Sequence, residues 1–254
     1  MNLLAFLHLP FTNSNENCKT LCLWCGSKSC EISKEGTHQF QCWSCKKVGN
    51  AYTLIQKYYE ELPDLKPVQA KELTSLKPGI KPLILKNIGV KYRLTNNKSE
   101  WIWPIRNSDK NVVALYRYNE DEGQCMSTPK PTAFTLIGLE HLKKTGPVYL
   151  LEGHWDYASF LSHANQDGIN TLGVCGSSFP SKQLHQLESR EVIFLTDNDQ
   201  AGRDGVTSLA TRMKKSGLLP YKLFYLDWDE ISLPERSEIP DGFDIRDLVL
   251  EFLE

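Results

Sequence analysis

Val192-Ile193-Phe194-Leu195-Thr196-Asp197-Asn198-Asp199-Gln200-Ala201-Gly202 is a short apolar run that ends in two carboxylates and passes into a helix start. Upstream, Val148-Tyr149-Leu150-Leu151-Glu152-Gly153 has the same form, an apolar run closed by an acid and a glycine. Around them, strand patterns over 148–151, 169–174, 192–196 and 221–226 alternate with helical patterns over 154–164, 180–188 and 201–216. This rhythm predicts a parallel sheet flanked by helices. Ligands of open α/β sheets collect at the carboxyl ends of the strands, so Glu152, Asp197 and Asp199 are expected on one rim. The i, i+2 spacing of the two aspartates turns both to one side of an extended chain.

Carboxylate oxygens with retained water suit Mg2+ or Mn2+, hard cations that recruit nucleotide phosphates. Further acids lie within reach in the pattern. Asp156 is one turn into the first helix, and Asp244 and Asp247, three apart in Gly242-Phe-Asp-Ile-Arg-Asp-Leu, share a face at a helix start. They make a second divalent ion feasible. Gly176-Ser177-Ser178, between an apolar run and a helix, offers backbone N–H groups to phosphate.

Ahead of these motifs stand four cysteines, Cys22-x2-Cys25 and Cys42-x2-Cys45, sixteen residues apart. Each Cys-x2-Cys turn presents two thiolates, and two turns complete a tetrahedral zinc shell. Plausible strands over 29–32 and 38–41 around Lys34-Glu35-Gly36 give a ribbon, and a helix over 51–61, with Tyr52, Ile55 and Tyr59 on one face, closes it. In so small a domain the metal replaces missing core. Trp24 and Trp43 lie inside the knuckles, near Lys28, Lys46 and Lys47. Aromatic faces beside positive charge suit unpaired bases, although the rings can equally pack on the ribbon's own hairpin. Cys18 and Cys30 fall outside the paired spacing.

Pro63, Pro67, Pro78 and Pro82 interrupt a lysine-rich stretch, which is expected to be a connector over 63–82. The alternating segments 101–105 and 112–118, around Asn107-Ser108-Asp109-Lys110, predict a hairpin. The chain therefore divides into 1–62, the connector, 83–145 and 146–254.

With 254 residues and 41% hydrophobic content, the chain can bury a sizeable core. Residues 1–150 hold 20 Lys+Arg against 13 Asp+Glu, and residues 151–254 hold 9 against 18. The front half suits phosphates and the back half cations. The apolar start has no basic leader and is broken by His8 and Pro10, so neither a signal peptide nor a membrane span is expected. A cytoplasmic setting and reduced cysteines follow.

Glu152-Gly153-His-Trp-Asp156 and Thr-Asp197-Asn198-Asp199-Gln-Ala-Gly202 resemble the two signature motifs of the Toprim fold, shared by DnaG-like primases and by type IA and II topoisomerases. The four-cysteine ribbon ahead of them narrows the resemblance to bacterial and phage primases. The segment 101–139, with Pro104-Ile-Arg106 and Leu115-Tyr-Arg117, resembles the N-terminal part of the primase polymerase domain. The fold class implied is a multi-domain α+β and α/β protein, a zinc ribbon followed by a polymerase domain containing a parallel-sheet Toprim fold.

The resemblance implies a DNA-directed RNA polymerase that starts short RNA primers on single-stranded DNA from ribonucleoside triphosphates. Glu152, Asp197 and Asp199 are then the catalytic metal ligands, Asp244 and Asp247 second-ion ligands, and Asp156 a supporting acid. Arg106, Arg117 and Lys130 would neutralise template or triphosphate charge, together with Gly176 and Ser177. Trp24, Trp43, Lys46 and Lys47 would hold template, and a replicative helicase is the implied partner in trans. No Gly-x4-Gly-Lys-Ser/Thr loop occurs, so a fused helicase half is not expected and the chain is expected to act alone. A RecR-like DNA-binding mediator also joins four cysteines to a Toprim domain, and a Toprim nuclease would keep the metals; both are carried as alternatives.

Overall fold

The computed structural model describes residues 3–7, 9–13, 16–34, 38–120, 125–128, 136–164, 169–174, 185–217, 222–231, 233 and 238–251, excluding the side chains of 6 and 125–128. The chain divides into two units, one of residues 1–64, 90–105 and 111–132, the other of 65–89, 106–110 and 133–254.

The first unit opens with a short helix, α1 (Leu3–Phe6), and a five-stranded antiparallel sheet in sequential order. Its strands are β1 (Phe11–Asn13), β2 (Asn17–Thr20), β3 (Cys30–Ser33), β4 (Phe40–Cys42) and β5 (Val48–Gly49). Helix α2 (Ala51–Glu61) starts where Asn50 accepts the Tyr52 and Thr53 N–H groups at 3.1 and 3.2 Å, relieving donors that a helix start leaves unpaired. It buries Leu54, Ile55, Tyr58 and Tyr59 against Leu3, Leu4, Leu7, Ile32 and Phe40. The apolar start is thus a piece of core, and Tyr52, expected on the packed face, is exposed.

A second sheet follows, β6 (Lys91–Thr95), β7 (Lys98–Arg106), β8 (Val112–Asn119) and β9 (Cys125–Thr128), in that order. The expected hairpin forms its two central strands. The turn between β6 and β7 is Asn96-Asn97, both at positive φ, the backbone that a two-residue hairpin demands.

The second unit begins with a difference from expectation. Residues 63–82 include a helix, α3 (Pro67–Leu76), and α4 (Pro82–Ile88) starts at the end of that stretch. Each begins on a proline, at the position where a missing N–H costs nothing. Ala70, Leu73, Ile84 and Leu85 are buried, so these prolines start packed helices instead of interrupting a tether.

The rest alternates as the pattern predicts: β10 (Val148–Glu152), α5 (His154–His163), β11 (Asn170–Val174), β12 (Glu191–Leu195), α6 (Gln200–Ser216), β13 (Lys222–Tyr225) and α7 (Ile245–Glu251). The strands are parallel, in the order β11-β10-β12-β13. Leu150 and Phe194 face a core with Leu172 and Leu209. Their neighbours Leu151 and Leu195 face another with Trp228, Phe243 and Ile245. Burial on both faces explains why these strands read as unbroken apolar runs. Of the helix expected over 180–188, residues 185–187 form a 3-10 turn and 180–184 lie outside the described residues. Among the described residues, no helix is long and apolar enough to cross a membrane.

Candidate functional site

The two cysteine turns are built alike. Gly26 N–H donates to the Cys22 carbonyl and Lys46 N–H to that of Cys42, at 2.8 and 2.9 Å. Gly26 and Lys46 both take positive φ. Register places Cys42 on β4 opposite Cys30 on β3 and sets the knuckles side by side. Cys22 and Cys45 sulfurs are 3.7 Å apart, as are those of Cys25 and Cys42, and all four lie within 4.8 Å of one another. A zinc tetrahedron with Zn–S of about 2.3 Å has edges of about 3.8 Å, so the four sulfurs fit that ion. The Cys45 amide draws the Cys42 thiol down to about 6, while burial pushes Cys22 up to about 12. Cys18 and Cys30 are buried beside this group, Cys18 Sγ donating to Asn13 Oδ1 at 3.3 Å.

The knuckle tryptophans part company. Trp24 stacks on Phe40, with centroids 5.3 Å apart and planes at 13°, and packs against the core. Trp43 is 53% exposed, with Lys46 Nζ 5.9 Å from its ring. Lys47 Nζ lies 5.3 Å from the Trp24 ring. The hairpin-packing alternative therefore describes Trp24, and the outward aromatic face is Trp43.

On the parallel sheet, Glu152 closes β10 and Asp197 follows β12 by two residues, with Leu151 opposite Leu195. The Asp197 backbone N–H draws the Glu152 carboxyl down against its burial. Asp199 caps α6, its Oδ1 accepting Gly202 N–H at 2.7 Å. A Cβ on Gly202 would run into the Asp197 carbonyl; glycine is what lets the helix start so near the acidic turn. Asn198 ties in a distant loop. Its N–H donates to the Phe243 carbonyl at 2.8 Å, its carbonyl accepts Gly242 N–H at 2.7 Å, and its Nδ2 reaches the Pro240 carbonyl at 3.0 Å. That loop brings Asp244 to Asp197.

These carboxylates raise one another. Asp197 is pushed up to about 7 by burial and by the Glu152, Asp244 and Asp199 charges. Burial, then Asp244 and Asp197, raise Asp156 well above the carboxylate range. Glu152 is raised by burial and by Asp199. Glu152 Oε2 and Asp156 Oδ1 are buried with no hydrogen-bond partner among the described residues. Unspent oxygens among repelling carboxylates are what a divalent cation satisfies, so the donor set fits one. Among the described residues no three acidic groups gather as closely as the four sulfurs, and like charges without a counter-ion stand apart.

Asp244 and Asp247 form a reciprocal cap on α7. Asp247 N–H donates to Asp244 Oδ1 at 2.7 Å, and Asp244 N–H to Asp247 Oδ2 at 3.3 Å. Arg246 Nη2 donates to Asp244 Oδ2 at 3.0 Å. Sequence reasoning passed over both Asn198 and Arg246. The signal for the second was a cation standing between two acids in Asp244-Ile245-Arg246-Asp247.

The basic residues fare unevenly. Arg117 is 8% exposed and pairs with buried Glu100 at 3.3 Å, which Arg93 also grips. It is a buried counter-charge, not the open phosphate contact expected of it. Arg106 pairs with Glu140 at 3.7 Å and reaches the Lys110 carbonyl at 3.5 Å. Lys130, Gly176 and Ser177 lie outside the described residues.

The Toprim-like family model matches residues 149–232, the segment that holds Glu152, Asp197 and Asp199. The chain has the fold of the zinc-binding and polymerase domains of DnaG-type primases. It is similar to the zinc-binding and RNA polymerase domains of the Aquifex aeolicus primase, at TM-score 0.53 and 16% identity, covering 99% of this chain and 80% of that one. It is also similar to a DnaG primase catalytic domain bound to single-stranded DNA, at TM-score 0.59 and 18% identity, covering 79% and 74%. In sequence it is 29% identical over 153 residues to an uncharacterized Mycoplasma genitalium protein, MG010, over 54% of this chain and 68% of that one.

Proposed function

We propose that this chain is a DNA primase that joins ribonucleotides de novo on single-stranded DNA. The observation that carries the reading is the register that sets Glu152 and Asp197 at neighbouring strand ends, with Glu152 Oε2 buried and without a hydrogen-bond partner among the described residues. Glu152, Asp197 and Asp199 would hold Mg2+ or Mn2+, and the four cysteines would hold a structural Zn2+. Divalent ions bound there supply Lewis-acid polarisation of the triphosphate and activation of a 3′-hydroxyl.

The protein's own groups prepare that site. Burial keeps the carboxylates poorly solvated, and the Gly202 N–H fixes the direction of Asp199. Trp43, exposed beside Lys46, offers an unpaired base a stacking face and its phosphate a charge. Lys130, Gly176 and Ser177 are assigned to the nucleotide from the sequence alone. We place the protein in a bacterial cytoplasm or a phage-infected cell, with a replicative helicase in trans.

The test is incorporation of labelled ribonucleotides on a panel of single-stranded templates with Mg2+ and Mn2+. Short products that vanish in Asp197→Asn and Glu152→Gln, with fold and zinc content kept, are the expected result. DNA binding without synthesis would instead favour the RecR-like mediator, and DNA cleavage in the same buffer the nuclease.

A further inference from the structure

Arg246 is the basic side chain that reaches into the acidic site. Its guanidinium bonds Asp244 Oδ2 at 3.0 Å, and Asp247 N–H holds Asp244 Oδ1 at 2.7 Å, so each oxygen of Asp244 already accepts a hydrogen bond. The Arg246 backbone N–H also draws the Asp156 and Asp244 carboxyls down. The loop joining α3 to α4 runs close to its stem, so that a Cβ added at Gly79 would stand 3.3 Å from the Arg246 Cγ. Helices α5 and α7, which carry Asp156 and Arg246, pack together. The guanidinium is thus held in place by the fold.

Asp156 gives independent support. It is 6% exposed, its Oδ1 has no hydrogen-bond partner among the described residues, and the charges acting on it are Asp244, Asp197 and Arg246. A buried acid in that position is either neutralised by a proton or balanced by a cation, and Arg246 is the positive charge acting on it. Mg2+ and Mn2+ demand several oxygen ligands, and a guanidinium, always charged, repels a divalent ion at close range. A divalent ion on Asp244 would stand beside the guanidinium that its Oδ2 already holds.

We propose that Arg246 is a resident cation in the acidic site, standing where Asp244 would otherwise ligate a second divalent ion, so the nucleotide-free protein loads one such ion on Glu152, Asp197 and Asp199. This rests on the reading that the acidic rim holds divalent metal. A further ion then arrives with the triphosphate as its metal complex. Arg246 is a positioning residue, and its charge, not its shape, is the functional property.

The test counts Mn2+ bound by the full, zinc-loaded chain without nucleotide, by electron paramagnetic resonance and calorimetry. One Mn2+ per chain is expected for the wild type and for Arg246→Lys, and two for Arg246→Ser. Two in the wild type overturn the inference, as does one in a folded Arg246→Ser. Should that variant not fold, Arg246→Gln, nearer in size, replaces it with the same expected count of two, and the wild-type count decides regardless. A count of one with no ribonucleotide incorporation would sink the primase reading and leave this inference standing; incorporation with a count of two would do the reverse.

Discussion

Asn198 donates its backbone N–H to the Phe243 carbonyl at 2.8 Å, joining the acidic turn after β12 to the loop ahead of α7. The residue between Asp197 and Asp199 is therefore turned to a neighbouring segment; it holds the loop that carries Asp244. Its side chain adds a bond to the Pro240 carbonyl at 3.0 Å.

Asn198→Ala should therefore cost about 1 kcal/mol of stability, the scale of a net hydrogen bond, and weaken Mn2+ binding with Asp197 and Asp199 intact. Thermal unfolding and a Mn2+ titration of the same preparation check both. Unchanged Mn2+ affinity would show that the loop is held without this side chain.

Removing zinc, or replacing Cys42 by Ser, should unfold the ribbon. Cys42 is fully buried and its sulfur lies 3.7 Å from that of Cys25, so metal and small core are lost together. Initiation on single-stranded DNA should fall further than extension of a supplied primer. Equal losses in the two assays would count against a separate template role for the ribbon.

Glu140 supplies a pH test away from either metal group. Burial raises its carboxyl above the ordinary value, against the weaker pull of His141 and Arg106, and its Oε2 has no hydrogen-bond partner among the described residues. A raised folded-state value means the protonated form is favoured by folding. That contribution is complete below the unfolded value, about 4.3, and is lost as pH rises through the folded one. Glu140→Gln should match the wild type in acid and gain on it towards neutral pH. Urea midpoints at several pH values measure the difference, and a variant less stable at neutral pH would mean that the Arg106 pair dominates.

Glu100 holds Arg93 and Arg117 together in the first unit, with Thr95 Oγ1 donating to it at 3.2 Å. Removing one member of a buried ionic group strands the others, at a cost of about 3 kcal/mol or more. Glu100→Ala should show that loss in urea unfolding. A change below about 1 kcal/mol, the size of an exposed pair, would mean that solvent reaches the guanidinium groups.

Much of the second unit was legible because parallel strands buried on both faces leave long apolar runs, each stopped by the polar turn that carries Glu152 or Asp197. The cysteine group was legible because its spacing is a local constraint. What escaped depends on partners distant in sequence. The charge of Arg117 looks available until strand pairing sets Arg93 opposite Glu100 and builds a buried group around it. Prolines 67 and 82 read as breaks, whereas each opens a helix whose apolar residues find a core. Arg246 carried a local signal in its place between Asp244 and Asp247, but its nearness to Asp156 and Gly79 comes from the fold.

The unequal knuckle tryptophans give the ribbon two built-in optical probes. Trp24, half-buried and stacked on Phe40, should be quenched less than Trp43 and change emission chiefly when the small domain melts. Trp43, open to solvent, should be dimmed by acrylamide and shielded when a single strand settles on it. Occupancy and integrity can then be followed separately by comparing the Trp24→Phe and Trp43→Phe variants with the wild type, against the common emission of the other four tryptophans.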